Sequence, residues 1–234
     1  MHILFLSHYF PPECNAPASR TYEHCREWVR AGHDVTVVTS VPNCPSGVVY
    51  DGYRNRLLQR EQVDGMNVYR IWTYIAANKG QIKRTANYAT YMLSACLFSM
   101  LPKKPDVLVA TSPQFLCGWA GVMSSKLRRT PFILEIRDIW PESIAAVGGI
   151  RNRGILKILT WMERKMYKSA DHIVTVGDGY KSRLLERNVP TEKISVVMNG
   201  IDPNLFHPRA PNETLKRQLG LEGASLYRGT GCDA

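Results

Sequence analysis

The chain has 234 residues and a formal net charge of +10. Hydrophobic residues at 44% and charged residues at 21% exclude a disordered chain and describe a globular one, with room for a large domain plus a fragment. The basic surplus favours an anionic partner, whether nucleic acid, an acidic membrane surface or a phosphorylated ligand.

The chain opens directly into an apolar run. Ile3 to Ser7 reads as a first strand, with no basic region, apolar core and cleavage site ahead of it. No apolar stretch reaches the roughly 18 residues of a spanning helix. The expectation is a cytoplasmic protein, with any membrane contact peripheral. A loop from His8 to Ala18 carries Pro11, Pro12 and Pro17, and a helix follows from about Ser19 to Arg30, closed by Gly32. Val35 to Thr39 is a second strand. An irregular Pro/Gly/Asn-rich loop covers 41–55, and Gln62 to Ile71 reads as a hairpin around Asp64-Gly65.

A helix is expected from about Ile82 to Leu101, stopped by Pro102. The rest alternates in the same way: strand Val107–Thr111, a small-residue helix to Arg129, strand Pro131–Ile136, a charged loop, helix Gly154–Ser169, strand His172–Val176, helix Gly179–Arg187 and strand Ile194–Met198. This β-α-β rhythm predicts an α/β fold, a Rossmann-like doubly wound and mostly parallel sheet over residues 1–198. A polar linker is expected over 199–223.

Glu135-Ile136-Arg137-Asp138-Ile139-Trp140-Pro141-Glu142-Ser143 is the most informative stretch. It places ionisable groups at a strand's carboxyl end, where open α/β sheets bind ligands. Glu135, Arg137, Asp138 and Glu142 offer an anion clamp and general acid–base groups, or an internal Arg–Asp ion pair orders the loop. Trp140 can stack on a sugar ring or cap the core. The first loop could lend a phosphate the N–H groups at a helix start, although it lacks a G-x-G-x-x-G pattern and its prolines remove donors. Lys79, Lys83 and Arg84 precede a nearly charge-free helix, a pattern that suits an anionic membrane interface or a buried helix. The six cysteines are scattered without metal spacing, so neither a metal site nor a disulfide framework is expected.

Four stretches together resemble the N-terminal domain of a family 4 glycosyltransferase of the GT-B fold. They are Tyr9–Glu13 with Ala16–Arg20, Ala110–Phe115, Glu135–Ser143, and Asn199–Asp202 with Phe206 and Pro208. Within that family they are most similar to the O-antigen, capsule and exopolysaccharide enzymes close to the N-acetyl-L-fucosamine transferase group. The resemblance implies half of a two-domain architecture, with the acceptor on this side of a cleft and a nucleotide-sugar on the other. It implies a retaining transfer from a nucleoside-diphosphate sugar to a polyprenyl-diphosphate-linked saccharide, at an anionic inner-membrane surface. The nucleotide-sugar is a co-substrate; no other cofactor, no metal and no nucleic acid is implied.

Carried over by position, Pro12, Asn15, Ala16, Pro17 and Arg20 would face the donor diphosphate and transferred sugar. Thr111, Ser112, Trp140 and Gly177 would line the acceptor cleft. Arg137-Asp138 stands where many relatives have His-Asp, and an arginine stays protonated, so Arg137 would orient Asp138 and Glu142 or bind phosphate rather than act as a base. Lys79, Lys83 and Arg84 would meet the membrane. The family's second domain would start near residue 224, and the aberrant run 224–234 leads to the expectation of a frameshift or premature stop, with a chain inactive alone. A stand-alone acceptor- or membrane-binding module working with a separate donor-binding chain is the alternative.

Overall fold

The computed structural model describes residues 1–76, 80–112, 114–140, 152–200, 207 and 212–220. Eight strands form one sheet: β1 (His2–Leu6), β2 (Asp34–Ser40), β3 (Leu58–Val63), β4 (Met66–Ile71), β5 (Val107–Thr111), β6 (Phe132–Ile136), β7 (His172–Thr175) and β8 (Ile194–Val196). Their order is β3-β4-β2-β1-β5-β6-β7-β8, with only the β3–β4 pair antiparallel. The doubly wound, Rossmann-like α/β expectation holds. The hairpin strand β3 begins at Leu58, earlier than the sequence suggests, because polar residues such as Arg60 and Glu61 are tolerated on a sheet edge.

Among the described residues the α-helices are α1 (Ala16–Arg30), α2 (Gln81–Phe98), α3 (Phe115–Arg128), α4 (Arg153–Ser169), α5 (Asp178–Glu186) and the short α6 (Glu213–Gln218). α1 starts three residues ahead of its expected Ser19. Asn15 caps it, its Oδ1 accepting from Ala18 N at 2.9 Å, and a proline in the first turn has no partner to lose. Gly32 ends it at φ +83°, a left-handed turn that glycine adopts without strain.

Strand alternation sorts the core onto the two faces of the sheet. Leu4, Leu6, Leu108, Ala110, Phe132, Leu134 and Ile136 pack with Tyr91 and Ala95 of α2, Cys117 and Ala120 of α3, and Met166 of α4. Ile3, Phe5, Val35, Val37, Val68 and Val109 face the other way, onto Cys25 of α1 and Phe10. α3 lies so close to the sheet that a Cβ on Gly121 would stand 2.5 Å from the Phe132 ring and 2.7 Å from Ala110 Cβ. α2 and α3 are joined by a Ser99–Ser124 hydroxyl bond of 2.9 Å, and Arg128 donates to the Ser99 and Pro102 carbonyls at the end of α2.

The chain divides into two compact units, Met1–Met198 and Asn199–Ala234. In the second, Asn212 Oδ1 caps α6 by accepting from Leu215 N at 3.0 Å. Among the described residues, no helix is long and apolar enough to cross a membrane.

Candidate site at the carboxyl edge of the sheet

β1 has β2 on one side and β5 on the other, so the chain reverses its winding direction there. Such a switch point opens a crevice at the carboxyl ends of the strands. The loop after β1 forms one wall and is tied down along its length. His8 O accepts from Ser40 Oγ at 2.7 Å, and Pro11 O from Arg70 Nη2 at 2.5 Å. Glu13 Oε1 accepts from the backbone N–H groups of Asn43 and Cys44, each at 2.9 Å. Arg70, itself fully buried, is anchored to Glu61 at 2.6 Å.

The opposite wall is the end of β6. Ile133, Glu135 and Arg137 alternate with core residues and so point toward α1. Arg137 Nη2 donates to Glu135 Oε1 at 2.5 Å, with both side chains buried. Arg137 thus pairs with Glu135, two residues back along the chain. Glu135 Oε1 also lies 3.6 Å from His24 Nδ1 on α1. Burial would raise the Glu135 carboxyl, but the Arg137 guanidinium, the Thr111 hydroxyl and the Arg20 charge together hold it below its ordinary value. Burial lowers the His24 imidazole, with Glu135 opposing, so it is neutral at pH 7.

Arg20 completes the cluster from the first turns of α1. Its buried Nε and Nη2 have no hydrogen-bond partner among the described residues. Burial, reinforced by the like charge of Arg137, lowers it to about 10, so it remains a cation at neutral pH. Asp138 is half-buried, its carboxyl raised by burial against the pull of Arg20. The structure therefore unites Arg20, Glu135, Arg137 and Asp138 of the sequence-predicted residues, and adds His24. The strand period puts 135 and 137 on one face. Gln114 was missed as well: it is buried, and neither side-chain amide atom has a partner among the described residues.

The other candidates are more dispersed. Pro12 and Ala16 are exposed, while Asn15 and Pro17 are half-buried. The start of α1 is a poor phosphate cradle, since Asn15 takes the Ala18 N–H and Pro17 has none. Thr111 and Ser112 are buried beside the cluster, Ser112 N donating to Glu135 O at 2.8 Å. Trp140 stacks on Phe115, with centroids 5.8 Å apart and planes 13° apart, so one of its faces caps the core. Gly177 heads α5, and a Cβ there would meet nothing within 4 Å. Lys83 and Arg84 are exposed on the first turn of α2. Lys79 and Glu142 lie outside the described residues. No cluster of three or more metal-ligating side chains occurs among the described residues.

Two cationic side chains, Arg20 and Arg137, thus stand at the switch edge of a doubly wound sheet, where such sheets bind ligands. Residues 15–200 match the glycosyl transferase 4-like domain, and the chain belongs to that family. It is 29% identical over 144 residues to the alpha-maltose-1-phosphate synthase of Mycolicibacterium smegmatis, covering 59% of this chain and 36% of that protein. Among solved structures it is similar to Anabaena Alr3699/HepE in complex with UDP-glucose, with a TM-score of 0.56 and 14% identity over 95% of this chain and 50% of that one. A glycosyltransferase from Rickettsia africae gives a TM-score of 0.51 and 15% identity, over 94% of this chain and 49% of that one. The fold is thus that of one half of a GT-B glycosyltransferase. The chain spans about half the length of these solved structures and little over a third of the synthase.

Proposed function

We propose that residues 1–198 form the acceptor-side domain of a retaining glycosyltransferase, with 199–223 as the connection toward a donor-binding half. The transfer moves a sugar from a nucleoside-diphosphate donor to a polyprenyl-diphosphate-linked saccharide in cell-surface polysaccharide or lipopolysaccharide synthesis. Within the family the sequence resembles enzymes close to the N-acetyl-L-fucosamine transferase group. The observation that carries the reading is Arg20, a cation at the switch edge whose buried N–H groups have no partner among the described residues. An incoming diphosphate or the transferred sugar would satisfy them. The UDP-glucose bound to the Anabaena relative of the same half-fold supports a nucleotide-sugar as donor.

Arg137 is committed to Glu135, which leaves Asp138 as the ionisable group on this wall that can take or give a proton. Its raised carboxyl suits contact with a sugar hydroxyl. Glu142 remains a proposed partner of Asp138. A peripheral contact with the cytoplasmic leaflet of an anionic membrane is supported by the outer side of α2 and α3. Leu93, Leu97, Leu101 and Leu127 are exposed there, and from residue 80 to 134 the sequence holds seven basic residues and a single acidic one, Asp106.

The test is a transfer assay with membranes and radiolabelled nucleotide-sugars, comparing this chain with its fusion to a related donor-binding half. Transfer by the fusion alone supports an acceptor-side domain. Transfer by neither, with all donors and membranes tried, overturns the reading.

A further inference from the structure

We propose that the outer face of α4 docks on an anionic lipid bilayer, with Trp161 entering the headgroup boundary and Lys157, Lys165 and Lys168 meeting lipid phosphates. This surface is distinct from the outer side of α2 and α3 but belongs to the same helical layer, so the inference rests on the membrane contact proposed above and extends it to a third helix.

α4 is sorted sharply about its axis. Met166 and Tyr167 are buried, and the helix lies so close to α3 that a Cβ on Gly118 would stand 2.5 Å from Met166 Sδ. Glu163, the one acidic residue of α4, is buried as well. Tyr167 Oη donates to its Oε1 at 2.8 Å, and Arg187 Nε lies 3.3 Å from the same oxygen. The outward side of α4 therefore carries no negative charge of its own. Ile155, Ile158 and Trp161 are 47%, 59% and 58% exposed there. Spaced three residues apart, they are neighbours along the helix surface. An apolar patch of this kind, rimmed by polar residues, marks an interaction site.

Charge decides the partner. Lys157 and Lys165 stand one turn to either side of Trp161, and Arg153, Arg164 and Lys168 are exposed as well. Lys165 Nζ lies 5.2 Å from the centroid of the Trp161 ring, so indole and ammonium present themselves together. α2 and α3, in the same layer, carry no acidic residue. Beyond α4, α5 carries Asp178 and Glu186, the latter accepting from Arg183 Nη1 at 3.4 Å. A second copy of this face would set like charges against each other. A nucleic acid would use the cations but leave Ile155 and Ile158 in water. A bilayer satisfies both, because the apolar groups reach the acyl boundary while the lysines extend to the phosphates. With α2, α3 and α4 all on the bilayer, the strands beneath them run along it. The carboxyl edge that holds Arg20 and Asp138 then opens along the membrane surface, where a lipid-linked acceptor travels.

The experiment mixes the 234-residue chain with phosphatidylcholine vesicles, with and without ~30% phosphatidylglycerol, carrying acyl chains brominated near the headgroup as contact quenchers. Binding to the anionic vesicles with quenching of tryptophan emission is expected. Trp161→Phe should remove most of that quenching although the other tryptophans remain. Lys157→Glu with Lys165→Glu, on exposed positions and checked by an unchanged thermal midpoint, should weaken binding at least tenfold, since each cation near such a surface adds about fivefold. Vesicle binding whose quenching persists in Trp161→Phe overturns the proposal and leaves the α2–α3 contact standing, whereas no binding at all overturns both. The proposal also fails if the double variant binds vesicles as wild type does, including the case in which it loses only affinity for a single-stranded RNA. Failure of the transfer reading looks different, since the quenching would stand while the fused enzyme moved no sugar.

Discussion

Arg137 reaches back two residues to Glu135, guanidinium to carboxylate at 2.5 Å, and the pair is buried beneath the first helix. Removing one member strands the other's charge in the interior, which costs ~3–5 kcal/mol, whereas replacing both by apolar residues is close to neutral. Glu135→Leu is therefore expected to lower unfolding free energy by ~3 kcal/mol, and Glu135→Leu with Arg137→Met to recover most of it. Urea melts of the two variants check this. Equal losses in both would show that the pair is not what orders the loop.

His8 sets an acid limit on stability. Its folded value of about 3 lies below its ordinary 6.5, so the native state binds fewer protons than the unfolded chain. That stability is complete above 6.5 and is lost as pH falls from 6.5 toward 3. The two values together give a loss of ~2 kcal/mol between pH 8 and pH 5. His24, also lowered, acts in the same direction. Glu135, held below its ordinary value, adds a further loss only under more acidic conditions. Urea midpoints at the two pH values measure the sum, and His8→Gln should flatten most of it.

Gly121→Ala tests how closely α3 approaches the sheet. The added methyl would overlap the Phe132 ring and Ala110 Cβ, both in the core. The expected loss is ~1–3 kcal/mol, the range for overpacked cores. A thermal midpoint equal to wild type would mean that α3 can lift without cost.

The α2–α3 face predicts salt-sensitive membrane binding. The chain should sediment with vesicles containing ~30% anionic lipid in low salt and be released at about 0.5 M salt, where the Debye length falls to a few ångströms. Lys126→Glu, on an exposed position of α3, should weaken the binding several-fold. Equal binding to neutral vesicles would remove the electrostatic part of the reading.

The parallel sheet was legible because buried strands such as Val107–Thr111 and Phe132–Ile136 are continuous apolar runs between turn residues, and a run of this kind reports burial on both faces. The charged stretch at 135–143 was legible as a site by its place after a strand, but its pairing was not. Neighbours in sequence suggest Arg137 with Asp138, while the fold joins Arg137 to Glu135, two residues back. Arg84 was read with the membrane because its local context is a basic, apolar helix. Its place beside His8 and Asn43 depends on three segments meeting at one sheet edge, which no local pattern encodes. That Trp140 lays one face on Phe115 likewise depends on tertiary packing rather than on any local pattern.

Arg20 offers the most direct test of the acceptor-side assignment. Its buried N–H groups have no partner among the described residues and burial disfavours its charge, whereas that charge favours the Glu135 carboxylate. The two effects oppose, so Arg20→Gln should change the unfolding free energy by no more than ~1 kcal/mol. In the chain fused to a donor-binding half, the same substitution should lower kcat/KM for sugar transfer by ~10–100-fold, the equivalent of one lost charge-assisted hydrogen bond. Transfer at the wild-type rate with Arg20→Gln would contradict the placement of the reacting diphosphate and sugar at this edge of the sheet.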